Sequence, residues 1–301
     1  MENGPTLTEL ANRLQSLYRL PPMPAIAVRV MQLTMDEDTS AHDLAVLIEH
    51  DPSLAAQILR YARSALFNYQ GEIRSVQEAI TRVLGFDRVS HLALGIAASR
   101  AFRLPNHGPL GLQDFWRHSL HCARLSREIL RTMPKARRSE LDPELAYLCG
   151  LLHNLGLLLI GHLFPDDFLR LRELRAADPA RALSELEDEV FTRRDPEKDL
   201  KVGHAVAGSI LLKLWDMPEA VIQSAGLHES TDKQAASVYV QAVQLANALL
   251  MESGIGDEQV SRDPEPLARR LGLGADELVD FRKGIQSVDR ELEGLANSLA
   301  R

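Results

Sequence analysis

The chain has 301 residues, 45% of them hydrophobic and 25% charged, so it can bury a substantial core and is not a disordered segment. Its 34 Lys and Arg stand against 42 Asp and Glu, a formal net charge of −8, which confines any contact with a phosphate backbone to a local basic patch. At roughly 100 to 200 residues per domain, the length suggests two domains.

Thr6 with Glu9 forms a capping box ahead of Leu7, Leu10, Leu14 and Leu17 at helical spacing, which predicts a first helix. Leu20-Pro21-Pro22-Met23-Pro24 stops it, because three prolines in four residues remove backbone donors and push their predecessors toward extended geometry. A second helix carries Ile26, Val30 and Leu33; Ser40 with Asp43 opens a third, with Leu44, Leu47 and Ile48 on one face. Asp51-Pro52 reads as N-cap and first position of a fourth bearing Leu54, Ile58 and Tyr61. Ser75 with Glu78 opens a fifth that Gly85 closes, and a sixth runs through Val89, Leu92 and Ile96.

Leu104 to Gly111 holds two prolines and two glycines, and the division between halves is placed there, giving segments 1–105, 106–252 and a C-terminal extension 253–301. Beyond it, Asp114 is read as the cap of a helix containing Phe115, Trp116 and Leu120, and Asp142-Pro143 opens a long apolar helix through His153. Further helical patterns cover 166–176, 183–193, 202–214, 219–227 and 234–252. A short helix among Pro264, Pro266, Gly272 and Gly274 and a last helix from about Asp276 complete the chain. No alternating run reads as a strand, so an all-α fold is predicted.

Cys122 and Cys149 are the only cysteines and form no CxxC pair, which fits a reducing cytoplasm. The N-terminal Met-Glu-Asn-Gly-Pro lacks the charged and apolar regions of a secretory signal, and the longest apolar run, Leu155 to Ile160, is far short of the ~20 residues that span a bilayer. The expectation is therefore a cytoplasmic protein without a membrane partner. Arg131, Lys135, Arg137 and Arg138 are the one basic cluster; with Pro134 among them they read as a solvated loop, which makes a nucleic-acid partner the minority reading.

Five features line up in the second half: His118 on one helix, His153-Asn154 on the next, Gly203-His204 opening a third, His228-Glu229 ending a fourth and Asn247 within a fifth. Singly each is weak, since a lone helical His is more often a satisfied core or surface residue than a ligand. As an ordered set they gain weight, because imidazoles from separate helices of a bundle can converge on one interior point. Cys122 and Cys149 each lie four residues from one of these histidines, and buried packing is favoured over thiol ligation for both.

The first half carries Leu20-Pro21-Pro22-Met23-Pro24, Asp51-Pro52-Ser53-Leu54, Leu59-Arg60, Ala62, Ser64, Ile73-Arg74-Ser75-Val76, Ala79-Ile80 and Leu84-Gly85. The second carries Phe115-Trp116-Arg117-His118-Ser119, Gly150 through Gly156, Gly203-His204 and Leu214-Trp215-Asp216-Met217-Pro218. In this order the blocks resemble the HDOD (HD-related output domain) family, a branch of the HD superfamily of metal-dependent phosphohydrolases, over about residues 18–250. The resemblance implies an HD-like helical bundle preceded by an N-terminal helical subdomain.

It also implies what is missing. The positions matching the two Asp ligands of active HD hydrolases are here Asn154 and Asn247. An amide offers one neutral oxygen where a carboxylate offers two anionic ones, so it can neither bridge two divalent ions nor cancel their charge. Leu157 stands where the cyclic-dinucleotide phosphodiesterase branch has a lysine, no Tyr-Pro pair occurs where that branch has one, and Arg63 replaces an asparagine usual in the family.

The expectation is thus a non-catalytic signalling module, a pseudo-enzyme with no catalytic residue and no cofactor, in which His118, His153, Asn154, His204, His228 and Asn247 are degenerate positions of the metal motif. Its partner would be another signalling chain or a small-molecule ligand, with motility or cyclic-dinucleotide signalling as a possible setting. Neutral imidazoles leave room for one residual zinc or other late transition metal, whose charge stays uncompensated unless Glu229 turns inward. The alternatives are a metal-dependent phosphohydrolase of a nucleotide or cyclic dinucleotide with an unusual ligand set, and a transcriptional adaptor using Arg131 to Arg138.

Overall fold

The computed structural model describes residues 20–36, 38–191, 203–230, 237–257 and 262–300. The predicted N-terminal helix with Leu7, Leu10, Leu14 and Leu17 lies outside them, as do the outer ends of the helices expected over 183–193, 202–214 and 234–252. Among the described residues every regular element is helical, as the periodicity predicted.

The first half is built on α1 (Ala25–Met35), α2 (Ala41–Glu49), α3 (Pro52–Ala62) and α4 (Phe86–Ser99). The expected caps form. Ser40 Oγ accepts the Asp43 N–H at 3.2 Å while Asp43 Oδ2 accepts the Ser40 N–H at 2.9 Å, and Asp51 Oδ1 accepts the Leu54 N–H at 2.9 Å. The predicted fifth helix is wound differently from an ordinary one. A single α turn, Val76–Glu78, continues as a π-helical segment, Ala79–Leu84, closed by a Gly85 N–H to Ile80 O bond at 2.9 Å. The wider turn brings Ala79, Ile80 and Leu84 all into the core.

In the second half α5 (Leu112–Thr132) is central, packing on α6 (Pro143–Leu152), α12 (Val238–Glu252) and α14 (Ala275–Leu299). Between them run α7 (Leu155–Leu163), α8 (Pro165–Ala177), α9 (Leu183–Phe191), α10 (His204–Leu214), α11 (Glu219–Leu227) and α13 (Glu265–Leu271). Asp114 does not cap α5. The preceding loop is held by Arg172 Nε on Pro109 O at 2.7 Å and by Gly111 N–H on Gly108 O at 2.9 Å, so the helix starts at Leu112 and Asp114 falls in its first turn. The apolar helix opened by Asp142 ends at Leu152 instead of running through His153, and the chain turns before α7 begins.

One buried cluster joins Val30 of α1, Ile96 of α4, Leu120 and Ile129 of α5, Leu249 of α12 and Leu292 of α14, so the three sequence segments share a core. Each such side chain contributes about 1.5–3 kcal/mol on full burial. The stretch Pro143–Leu163 has the length and apolarity to cross a membrane, yet it is 89% buried and interrupted at His153-Asn154. Cys122 and Cys149 are fully buried, and burial pushes the Cys149 thiol up to about 12, which suits packing.

The basic cluster is not a free solvated loop. Lys135–Arg138 forms one helical turn; Arg137 Nη1 donates to Arg270 O at 2.6 Å, Arg138 Nη1 donates to Arg131 O, and Arg131 meets Glu144 at 3.2 Å. These guanidiniums bind the chain's own acceptors because the last turn of α5 and the end of α13 expose carbonyls beside them.

Two glycines set the helix spacing around α6 and α7. A Cβ on Gly150 would lie 2.6 Å from Cys122 O on α5, and one on Gly156 would overlap His204 O and lie 2.7 Å from Gly208 N on α10. Gly156→Ala is expected to destabilise the fold by at least about 1–3 kcal/mol, while Gly294→Ala, whose Cβ meets nothing within 4 Å, stabilises α14 by up to ~1 kcal/mol. Urea titration of both variants checks this; equal effects would contradict it.

Candidate functional site

The close approach at Gly150 and Gly156 fixes the turn between α6 and α7, which holds His153 and Asn154, against α5 and α10. His118 projects from the middle of α5, His204 opens α10, His228 ends α11 and Asn247 lies within α12. All six predicted residues converge, each no more than 5% exposed. The four imidazoles form a chain: ring centroids are 5.0 Å apart for His118 and His153, 4.9 Å for His153 and His228, and 5.1 Å for His228 and His204.

Asn154 occupies the N-cap position of α7 but does not cap it. Its side chain turns into the cluster, where Nδ2 donates to Asp257 Oδ2 and Oδ1 is buried without a partner. Asp257 was not anticipated from the sequence. It sits in the turn after α12, where Gly254 (φ 67°) and Gly256 (φ 143°) bend the chain back over the site. Its Oδ2 also accepts from His118 Nδ1 at 3.1 Å, and His118 Nε2 donates to Asn247 Oδ1 at 3.1 Å. The glycine pair signals a turn in the sequence, but nothing in the spacing aims the carboxylate inward.

Glu187 of α9 is the second unanticipated carboxylate. It is buried, accepts the His204 backbone N–H at 3.1 Å and accepts from His204 Nδ1 at 2.8 Å. Gly203 makes room for it, since a Cβ there would lie 2.6 Å from Glu187 Oε2. Glu229 does turn inward, with Oε1 3.7 Å from His204 Nε2.

These partners sort the histidines by charge. Burial alone disfavours an imidazolium, but Glu187 and Glu229 raise His204 to about 10, and Asp257 raises His118 above the ordinary histidine range. The Asp257 carboxyl is held well below its usual range, because His118 and His204 outweigh the burial that would raise it. His153 and His228 stay neutral: burial first, then neighbouring imidazoles, depress both, His228 to about 3. The cluster is thus two imidazolium–carboxylate pairs flanking two neutral rings.

The donor set fits a single late transition metal. His153 Nδ1 donates to Gly150 O at 2.8 Å, His228 Nδ1 donates to Ala225 O at 2.8 Å and His204 Nδ1 is held by Glu187, so each ring directs Nε2 inward, as metal-bound imidazoles do. His153 Nε2 is buried and unpartnered. His204 Nε2 and His228 Nε2 are 3.1 Å apart, near the ~3.3 Å edge of a tetrahedral zinc site, and with the Glu229 carboxylate their ligand atoms all lie within 4.8 Å of one another. The same residues do not fit a dinuclear centre: His118 has both ring nitrogens engaged, and the two bridging-type positions are amides.

The HDOD domain family model matches residues 20–231, and the chain belongs to this family. It is 23% identical over 223 residues to an uncharacterised protein of Treponema pallidum (strain Nichols), covering 73% of this chain and 39% of that one. It is similar in structure to a candidate signal transduction protein of Marinobacter aquaeolei VT8, with a TM-score of 0.80 and 28% identity over 96% of this chain and 62% of that one. An HDOD domain protein of unknown function from Geobacter sulfurreducens superposes with a TM-score of 0.73 at 23% identity, covering 97% of each chain. A candidate phosphohydrolase of Shewanella amazonensis SB2B gives 0.70 at 21%, covering 95% of this chain and 97% of that one. The last two establish the shared helical fold; the chain spans well under two thirds of the Treponema protein's length. Family and Marinobacter relative together associate the chain with signalling.

The charge pattern dictates how stability varies with pH in metal-free protein. His204, beside Glu187, binds its proton more tightly folded than unfolded, so its contribution is full below about 6.5 and fades as pH rises through about 10; His118, raised by Asp257, has the same sign. His153 and His228 have the opposite sign: their contribution is full above about 6.5 and is lost as pH falls through their lowered values. Scanning calorimetry in EDTA should give the highest unfolding midpoint near pH ~6.5, with Glu187→Gln flattening the alkaline limb and His228→Gln the acid limb. A midpoint unchanged from pH 4 to pH 10 would contradict this assignment.

Proposed function

We propose that the chain is a non-catalytic regulatory module of bacterial-type signal transduction, acting in the cytoplasm through contacts with another protein chain or a small molecule. The observation that carries this reading is the closure of one half of the HD constellation by the protein itself. Asp257 engages His118 and Asn154, and Asn247 engages the other nitrogen of His118. A two-metal mechanism needs that half open, with carboxylates bridging the ions, and here it is filled by hydrogen bonds between the chain's own groups. One metal ion held by His204, His228 and Glu229, with the neighbouring His153 as a further imidazole, would supply a structural cross-link between α10, α11 and the turn after α6, or a polarised water at an open position.

A second reading, a phosphohydrolase with one metal, is favoured by one observation: the unpartnered, buried His153 Nε2 and Asn154 Oδ1. The two readings separate cleanly. Protein purified without chelator or metal-binding tag is assayed for metal by elemental mass spectrometry and for hydrolysis of nucleotides and cyclic dinucleotides with added manganese. The regulatory reading expects no turnover, with any bound zinc lost in His153→Ala; turnover above the His153→Ala background would establish the hydrolase instead.

Restoring the family's carboxylates tests the closure itself. Asn154→Asp alone places a second carboxylate against Asp257, and like charges at that spacing oppose each other. The expectation is that Asn154→Asp with Asn247→Asp binds manganese only weakly, and that adding Asp257→Ala raises the affinity at least tenfold by freeing His118. Equal affinity with and without Asp257→Ala, measured by calorimetric titration, would remove the argument.

A further inference from the structure

A groove of about 550 Å³ runs between α3 and α14, remote from the histidine cluster in sequence and built from different residues. Arg60, Arg63 and Ser64 form one wall; Arg290, Glu291 and Gly294 form the other. Arg63 is fixed, its Nε and Nη2 donating to Ile73 O at 2.8 and 2.6 Å, and among the described residues no carboxylate pairs with it. Among the described residues neither Arg60 nor Arg290 has an ion-pair partner, in a chain whose net charge is −8. The one acid, Glu291, accepts the Ala65 N–H at 3.2 Å, which ties the two walls together and leaves a local excess of two positive charges. Ser64 is 8% exposed and its Oγ is buried without a hydrogen-bond partner.

Three guanidiniums around one cleft repel each other unless an anion joins them, and guanidinium forks match phosphate and carboxylate oxygens. A local excess of two positive charges suits a phosphate dianion, and the Ser64 hydroxyl, once turned into the groove, adds a neutral donor. The volume falls in the range of small-molecule sites, and Leu59 and Leu295 supply apolar surface for the rest of a ligand. We propose that this groove binds a phosphorylated small molecule of nucleotide size, gripped jointly by the HDOD segment and the C-terminal helix. The site stands whether or not the histidine cluster holds a metal.

Gly294 offers a test that spares the core. It lines the groove, and a Cβ there would meet nothing within 4 Å, so a leucine at this position enters the cleft from open space. Calorimetric titration of the full chain in EDTA uses AMP, GTP and inorganic pyrophosphate as probes. The expected result is saturable binding of at least one probe, weakened at least tenfold by Gly294→Leu and by Arg60→Ala with Arg290→Ala, and weakened by added salt. Circular dichroism checks that both variants keep the parent helicity, and the glycine variant carries the test if the arginine pair unfolds. No saturable binding of any probe, or binding unchanged in Gly294→Leu, would overturn the proposal. So would binding to phosphoinositide vesicles with none to the soluble probes, which would make the surface a membrane contact.

Discussion

The contact on which the rest of the structure turns is backbone against backbone. Gly156 at the start of α7 lies against His204 and Gly208 of α10, and Gly150 lies against the Cys122 carbonyl of α5. No side chain fits at either point, so α7 against α10 and α6 against α5 are held at a spacing that only glycine allows. The turn between Gly150 and Gly156 then has one place to go, and it delivers His153 and Asn154 between His118 and His204. A shift of this turn would separate all four histidines, because each comes from a different element.

Given that geometry, charge decides the character of the site. Four imidazoles packed at about 5 Å cannot all be protonated, and the chain resolves this by pairing the two outer rings with carboxylates and leaving the inner two neutral. Those carboxylates come from α9 and from the turn after α12, neither of which belongs to the family's metal motif. Asp257 supplies negative charge that the amides of Asn154 and Asn247 do not, but it does so by a hydrogen bond to His118 that removes this ring from any ligand set. The fold therefore brings the histidines together while committing one side of the cluster to internal cohesion.

Much of this was legible in the sequence. Ser40 with Asp43, Asp51-Pro52 and Ser75 with Glu78 mark helix starts through local hydrogen bonds that need no tertiary information, and they appear where such residues do. The six motif positions converge because each sits beside a glycine, helix end or helix interior that the same blocks encode. What stayed hidden is of another kind. The winding of Ala79–Leu84 as a π segment, the end of α6 at Leu152, and the inward aim of Glu187 and Asp257 all depend on packing partners distant in the chain. Acidic residues on an exposed-looking helix or loop carry no local mark of burial, and a carboxylate drawn in by an imidazolium is seen only once both are placed.

His118 is committed to the chain's own groups, while His204 and His228 turn Nε2 atoms toward one another beside Glu229, and the neighbouring His153 keeps its Nε2 without a partner. Long-range proton–nitrogen correlation spectra of the imidazoles, recorded with and without added zinc, test this arrangement directly. Both His118 nitrogens are expected to carry protons and keep their shifts, while the Nε2 signals of His153, His204 and His228 move together on zinc addition. A His118 Nε2 that is unprotonated in the metal-free protein, or that shifts with the metal, would contradict it.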